Sequence, residues 1–176
     1  PVAPALEVGG TESGEIRKIV WTGAINIWKN YPILGSGIET FAYSYYNFRP
    51  VEHNLVSEWD FLYNKAHNEY LNLAATTGTV GLLSYGFLAI SIICLLARKN
   101  GYFPLAFLSG FVSILVTNFF GFSVVPVALQ FFLFPAMAIS LEQKSKRTGK
   151  QEMAKISKPQ ISAIIVFCFL TLLTLY

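Results

Sequence analysis

Between Thr79 and Leu141 the chain carries only two charged side chains, Arg98 and Lys99. That block constrains the fold more than any other feature. A water-soluble protein cannot easily bury so long an apolar stretch, because too little polar surface remains to cover it. Composition agrees: 13% of the 176 residues are charged and 53% hydrophobic, whereas soluble domains are about 25% charged. The class that follows is an all-α, polytopic integral membrane protein.

The spans can be placed by length. A bilayer core about 30 Å thick needs about 20 helical residues, and Val80 to Ala97 supplies a first candidate. The apolar block from Phe103 to Leu141 divides between Gly121 and Pro126 into two more, so residues 79–141 hold about three spans. A shorter apolar run, Ile161 to Tyr176, reads as a final transmembrane helix, tilted or cut. Residues 1–10 hold no cationic stretch ahead of an apolar one, so no signal peptide is visible. We therefore expect a fragment of a longer protein, with further spans upstream.

Charge orients the spans. Arg98 and Lys99 follow the first, and Lys144, Lys146, Arg147, Lys150, Lys155 and Lys158 lie in the linker 142–160 after the third. Both loops fall on one side if the spans alternate, and the positive-inside rule makes that side cytoplasmic. Residues 1–78, which hold eight of the ten acidic side chains, are then an external, mostly helical loop. The net charge of +3 is no sign of nucleic-acid binding. Much of it sits in the basic linker, which orients the protein and meets membrane lipid. Cys94 and Cys168 lie in apolar runs without ligand-type spacing and read as small helix fillers.

The external segment holds the chemistry. Ile16, Ile19, Val20 and Ile27 give Ser13 to Asn30 the period of an amphipathic helix, which Ser13 can cap and Pro32 must end. Arg17, Trp21, Ala24 and Trp28 then form one stripe. Tyr31-Pro32-Ile33-Leu34-Gly35-Ser36-Gly37 reads as a turn whose glycines let the backbone pass close to something. The rings of Phe41, Tyr43, Tyr45, Tyr46, Phe48, Trp59, Phe61 and Tyr63 read either as an interfacial belt or as a sugar-stacking surface. Glu58-Trp59-Asp60 reads as a solvated turn. Ala66-His67-Asn68-Glu69-Tyr70-Leu71 reads as a helix leading through Gly78 into the first span, with His67, Tyr70, Leu71 and Ala74 on one face. Histidine suits proton transfer near neutral pH, although on physical grounds alone a histidine placed here is most often structural.

Taken in order, these pieces resemble the core of the O-antigen ligase and polymerase superfamily. The residues are Arg17, Trp21 and Ala24, then Tyr31 to Gly37 with Phe41, then His67-Asn68-Glu69-Tyr70-Leu71, then Gly78-Thr79-Val80-Gly81 opening a span. The resemblance covers about Glu15 to Tyr85. It implies a multi-span glycosyltransferase of the GT-C type in the bacterial inner membrane, with a periplasmic loop. Such enzymes move a glycan from an undecaprenyl-diphosphate carrier to a hydroxyl on a glycolipid, glycan or protein acceptor, with neither metal nor cofactor. It implies that Arg17 holds the diphosphate and that His67 acts as a general base or orients the hydroxyl. Trp21, Arg49, Lys65, Asn68 and Tyr70 become candidate substrate-binding residues. His53, in Glu52-His53-Asn54, imitates the His-Asn pair but lacks the Gly-bounded span entry that follows His67. Ligase, polymerase and protein-glycosylating members share these motifs. A transporter subunit and a non-catalytic assembly protein are the readings from other classes; the first would place ionisable groups inside the spans.

Overall fold

The computed structural model describes residues 10–147, with side chains described to Leu141. The linker beyond residue 147 and the expected final span at 161–176 lie outside the described residues. Among the described residues the architecture is helical throughout: α1 (Ser13–Asn30), α2 (Phe41–Phe48), a 3-10 helix (Val51–Leu55), α3 (Glu69–Ala97), α4 (Tyr102–Phe120) and α5 (Val125–Arg147). Two compact units can be distinguished. Among the described residues, one comprises residues 10–86 together with Asn118–Phe122; the other comprises Phe87–Thr117 and residues 123–147.

In the first unit α1 runs over the residues that its apolar period predicts. Ile16, Val20, Ala24 and Ile27 fall on one face and are buried with Phe41 and Tyr45 of α2 and with Val56, Tyr63, Ala66 and Ala75. The expected Ser13 cap is corrected: Ser13 is the first helical residue, the N-cap is Glu12, and no side chain caps the end. Tyr31 closes the helix through its N–H to the Ile27 carbonyl, 2.9 Å, and Pro32, which has no N–H, stops it. The rings of α2 separate by helical period. Phe41 and Tyr45 stack at 5.4 Å within the core, whereas Tyr43 and Tyr46 on the other face are exposed.

The span entry also differs from expectation. The helix expected from Ala66 begins at Glu69 and does lead into the span, but it is broken at Gly78, whose φ of 68° and ψ of −167° are not helical. At a continuous position the N–H groups of Thr79 and Val80 would donate four residues back, to Ala75 and Thr76. Here they donate to the carbonyls of Pro32 (2.8 Å) and Ile33 (3.2 Å). The carbonyls of Ala75 and Thr76 accept instead from Ser36 and Gly37, each at 2.9 Å. The turn after α1 is inserted into the break, and two helical bonds are exchanged for four bonds to the turn. A second tie runs from Trp28 Nε1, which donates to Thr79 Oγ1 at 3.0 Å.

Both glycines at this junction are sterically required. Gly35 and Gly78 have φ of 71° and 68°. A Cβ on Gly35 would stand 2.3 Å from the Thr76 carbonyl carbon, and one on Gly78 would stand 2.3 Å from the Ile33 carbonyl oxygen.

In the second unit α4 and α5 pack through Phe111 and Phe131, with ring centroids 4.8 Å apart, and Phe107 and Phe134, 5.8 Å apart. The expected division of the apolar block at residues 121–126 is where α4 ends and α5 begins. The helices Glu69–Ala97 and Tyr102–Phe120 are long and apolar enough to cross a membrane, and little of either is buried within the chain. The apolar part of α5, Val125–Leu141, is shorter. Cys94 is exposed on α3 rather than packed as a filler.

The junction yields a stability prediction. Gly78→Ala and Gly35→Ala should each cost more than about 2 kcal/mol, since left-handed strain adds to a clash with backbone that cannot relax. Gly86→Ala, where an added Cβ meets nothing within 4 Å, should be neutral. Thermal unfolding of the full-length protein in detergent, with membrane abundance beside it, checks this. Equal melting temperatures for all three variants would contradict the reading of the junction.

Candidate functional site

A cleft of about 220 Å³ opens in the first unit, lined by Ser13, Ile16, Arg17, Val20, Glu58, Phe61, Tyr63 and His67. It brings together Arg17 and His67, which come from opposite ends of the segment. α1 supplies Arg17 one residue after the buried Ile16, so the helix period that buries Ile16 and Val20 turns Arg17 to the rim of the core. Its guanidinium is half-buried and has neither hydrogen bond nor ion pair to the described residues. A permanently charged fork with five free donors is an anion site in chemical terms.

His67 is not on a helix, which corrects the expected face shared with Tyr70 and Ala74. It precedes α3 in a left-handed conformation, φ 53°, at a cost of order 1–3 kcal/mol for a residue with a side chain. The adjacent Asn68 fixes that geometry. Its side-chain oxygen accepts the Leu71 N–H at 3.0 Å, its carbonyl accepts the Asn72 N–H at 2.9 Å, and it is buried. This is an N-cap, and it turns the chain so that the preceding imidazole faces the cleft. The His67 ring meets Tyr63 and Phe122 edge-on, at centroid distances of 5.6 and 5.2 Å.

Electrostatics follow from these neighbours. Burial lowers the His67 pKa from its ordinary 6.5, Arg17 lowers it further, and Glu58 opposes both. The imidazole is therefore neutral at pH 7 and carries one lone pair able to accept a proton. Burial and the bond to Glu58 push the Tyr63 phenol well above its usual range, so Tyr63 stays a donor. Its hydroxyl donates to Glu58 Oε2.

Behind the cleft lies a buried relay. Tyr45 Oη and His53 Nδ1 are 2.6 Å apart, and His53 Nε2 lies 3.2 Å from the Glu58 carbonyl. A carbonyl can only accept, so Nε2 carries the proton and Nδ1 accepts from Tyr45. His53 is fully buried and both nitrogens are engaged.

The remaining candidates stand apart from the cleft lining. Arg49 donates to the Trp59 carbonyl at 2.9 Å and to Asn54 Oδ1, tying the 3-10 helix to the turn that follows it. Lys65 pairs with Glu39 at 2.5 Å. Trp21 packs edge-on against Phe119, with its buried indole nitrogen unpartnered among the described residues. Tyr70 packs edge-on against Tyr85, 6.0 Å between centroids. Asn68 serves as the cap. Sequence reasoning offered Phe61 and Tyr63 only within an aromatic stretch, as an interfacial belt or a sugar-stacking surface, and passed over Glu58; Glu58-Trp59-Asp60 does form a turn, but the turn presents its first carboxylate to the cleft. Among the described residues no three His, Cys, Asp or Glu side chains converge in a way that could hold a metal.

A free arginine, a neutral histidine and a carboxylate thus share one cleft of an apolar, helical chain. The family described as Wzy_C, O-antigen ligase, matches residues 5–86. The O-antigen ligase resemblance carried by the motifs is thus shown over the segment that bears them, and it points the site toward glycan transfer in surface-polysaccharide synthesis. No curated protein and no solved structure matches the chain.

The charge arrangement yields a titration prediction. Arg17→Gln removes a repulsion on imidazolium, so the His67 pKa should rise toward 6.5; Glu58→Gln removes an attraction, so it should fall further. Because the folded pKa lies below the unfolded one, the unfolded chain takes up the proton first as pH drops through 6.5, and stability should decline there. Imidazole proton shifts of the full-length protein in nanodiscs, assigned by their loss in His67→Asn, report the first two effects. Identical titration in both variants would show that the three groups do not interact.

Proposed function

We propose that the cleft transfers a glycan from an undecaprenyl-diphosphate carrier to an acceptor hydroxyl, with Arg17 on the diphosphate and His67 as the base. The observation that carries this reading is the meeting of a guanidinium free of hydrogen bonds and ion pairs with a neutral imidazole in one cleft. The acceptor oxygen attacks the anomeric carbon, and a new C–O bond forms as the bond to the diphosphate oxygen breaks. The leaving electron pair stays on that oxygen, where the Arg17 fork meets it with paired charge-assisted hydrogen bonds. The hydroxyl proton passes to His67.

The two groups are coupled. Until an anion arrives, Arg17 depresses the basicity of His67. Diphosphate binding neutralises that charge, so the base strengthens when the leaving group is in place.

The charge pattern supports an external, periplasmic position for residues 1–78, spans within 79–141 and 161–176, and a cytoplasmic basic linker at 142–160, in the bacterial inner membrane. The partners are then the lipid-linked glycan, an acceptor glycolipid, glycan or protein, and membrane lipid. Trp21, Arg49, Lys65, Asn68 and Tyr70 are kept as substrate-binding candidates for parts of the donor or acceptor beyond the cleft, since none of them lines it. The acceptor decides between an O-antigen ligase and the related polymerase or protein-glycosylating reactions.

Complementation of a strain lacking the full-length gene tests this. His67→Ala and Arg17→Ala should each reduce surface glycan by roughly 100-fold or more, the range lost with a general base or a charge-stabilising donor, at normal membrane abundance. Arg17→Lys should restore only part, because an ammonium lacks the planar fork. Loss of all glycan from lipid A core would mark a ligase, and retention of single repeat units a polymerase. Normal glycan at normal abundance in both alanine variants would refute the assignment.

A further inference from the structure

The cleft holds two groups that the transfer step leaves unused, and their chemistry is that of a sugar site. Phe61 lines the cleft and is 57% exposed. Its ring meets Tyr63 in a T-shaped contact, with centroids 5.1 Å apart and planes at 78°. One edge contact braces the ring, while most of its surface is open to whatever enters. An exposed aromatic ring offers a flat apolar platform with only two side-chain torsions to order.

Glu58 stands beside it. One carboxylate oxygen, Oε2, accepts from the Tyr63 hydroxyl; Oε1 bonds to none of the described residues. The backbone behind it is fixed as well, since the Glu58 carbonyl accepts from buried His53. The free oxygen is an oriented acceptor with no donor of its own. Its natural complement is a hydroxyl pair on the edge of a ring whose apolar face lies on Phe61. A pyranose has that anatomy, with C–H groups on its face and hydroxyls around its rim.

We propose that Phe61 and Glu58 form a hexopyranose subsite next to the anion site of Arg17, and that it selects a neutral sugar. Phe61 carries the C–H face of the ring and Glu58 Oε1 accepts from its hydroxyls. A uronic acid at this position would bring a second carboxylate against Glu58 and is disfavoured. The proposal rests on the glycan-transfer reading of the cleft and extends it to the class of sugar held there. The Tyr45–His53 pair fixes the Glu58 backbone from the buried side, through the bond from His53 to the Glu58 carbonyl.

The test is saturation-transfer NMR on the full-length protein in nanodiscs, with methyl α- and β-hexopyranosides of glucose, galactose and mannose, and with methyl glucuronide. At least one neutral hexoside should show transfer strongest at the protons of one ring face. Phe61→Ala should reduce that signal at least fivefold, and Phe61→Trp should retain it, which separates loss of the platform from misfolding. Methyl glucuronide should give a weaker signal than the neutral sugar, and Glu58→Gln should narrow the gap. Unchanged signals in Phe61→Ala, or equal binding of glucuronide by the unaltered protein, would overturn the proposal. Because this readout is binding, it is independent of turnover. Phe61-dependent hexoside binding in a protein whose Arg17 and His67 variants transfer normally would keep the subsite and remove the catalytic assignment.

Discussion

The break in α3 at Gly78, and the turn that fills it, is the interaction on which the rest of the first unit depends. A helix interrupted at one residue leaves backbone donors and acceptors without partners, and in surroundings poor in water each orphan costs several kcal/mol. Here every bond lost is replaced. Thr79 and Val80 donate to Pro32 and Ile33, while Ala75 and Thr76 accept from Ser36 and Gly37. Such an exchange requires backbone on both sides to approach without side chains between, which is why the two left-handed glycines, Gly35 and Gly78, face one another's neighbours. The result is a rigid joint between the end of α1 and the middle of α3. Both cleft side chains lie on elements that meet at that joint: Arg17 on the continuous helix α1, and His67 just before α3.

The same economy governs the cleft. Asn68 caps α3, and in doing so holds His67 in a conformation that an unconstrained residue would avoid. Local strain of this kind persists only where surrounding contacts overdetermine it. The surroundings here are the cap, the two aromatic edges of Tyr63 and Phe122, and the buried Ala66 just before it. Arg17 supplies the opposite element, a charge left unsatisfied by the protein. On the proposed reading, an anionic ligand supplies the partner that Arg17 lacks among the described residues.

Much of this could be read from the residues. The apolar period of α1, the stop at Pro32 and the division of the apolar block near Gly121 are local signals that tertiary packing did not override. The glycines of the turn were legible as a close approach, but not what they approach, because the partner lies some forty residues later and no local rule encodes it. The helical reading of His67 failed for a specific reason. Its apolar neighbours continue the period of α3, and periodicity cannot register a cap; Asn68 was the competing signal, since an asparagine at that boundary offers the backbone an alternative to helix. The aromatic stretch was harder. The spacing of Phe41 and Tyr45 marks one buried face of α2, yet Tyr63 is buried from a loop, where no period exists. Glu58 was passed over because a carboxylate in a short polar turn is ordinarily solvated, and only the Tyr63 hydroxyl and the His53 relay give it a fixed place.

The two histidines show how surroundings divide identical chemistry. Both precede an asparagine, and burial lowers the pKa of both. His53 has each nitrogen committed, one to a phenol and one to a carbonyl, and a carbonyl acceptor leaves its proton a single position. A ring so held can fix a loop but cannot exchange a proton without losing a buried bond. His67 has aromatic edges on its sides and no hydrogen bond to the described residues on either nitrogen. Its orientation is set by carbon contacts and its lone pair is left available. The order of events in the fold follows from this contrast: His53 organises the turn that carries Glu58, Glu58 tempers the charge at the cleft, and His67 is left with the one unspent proton site facing Arg17.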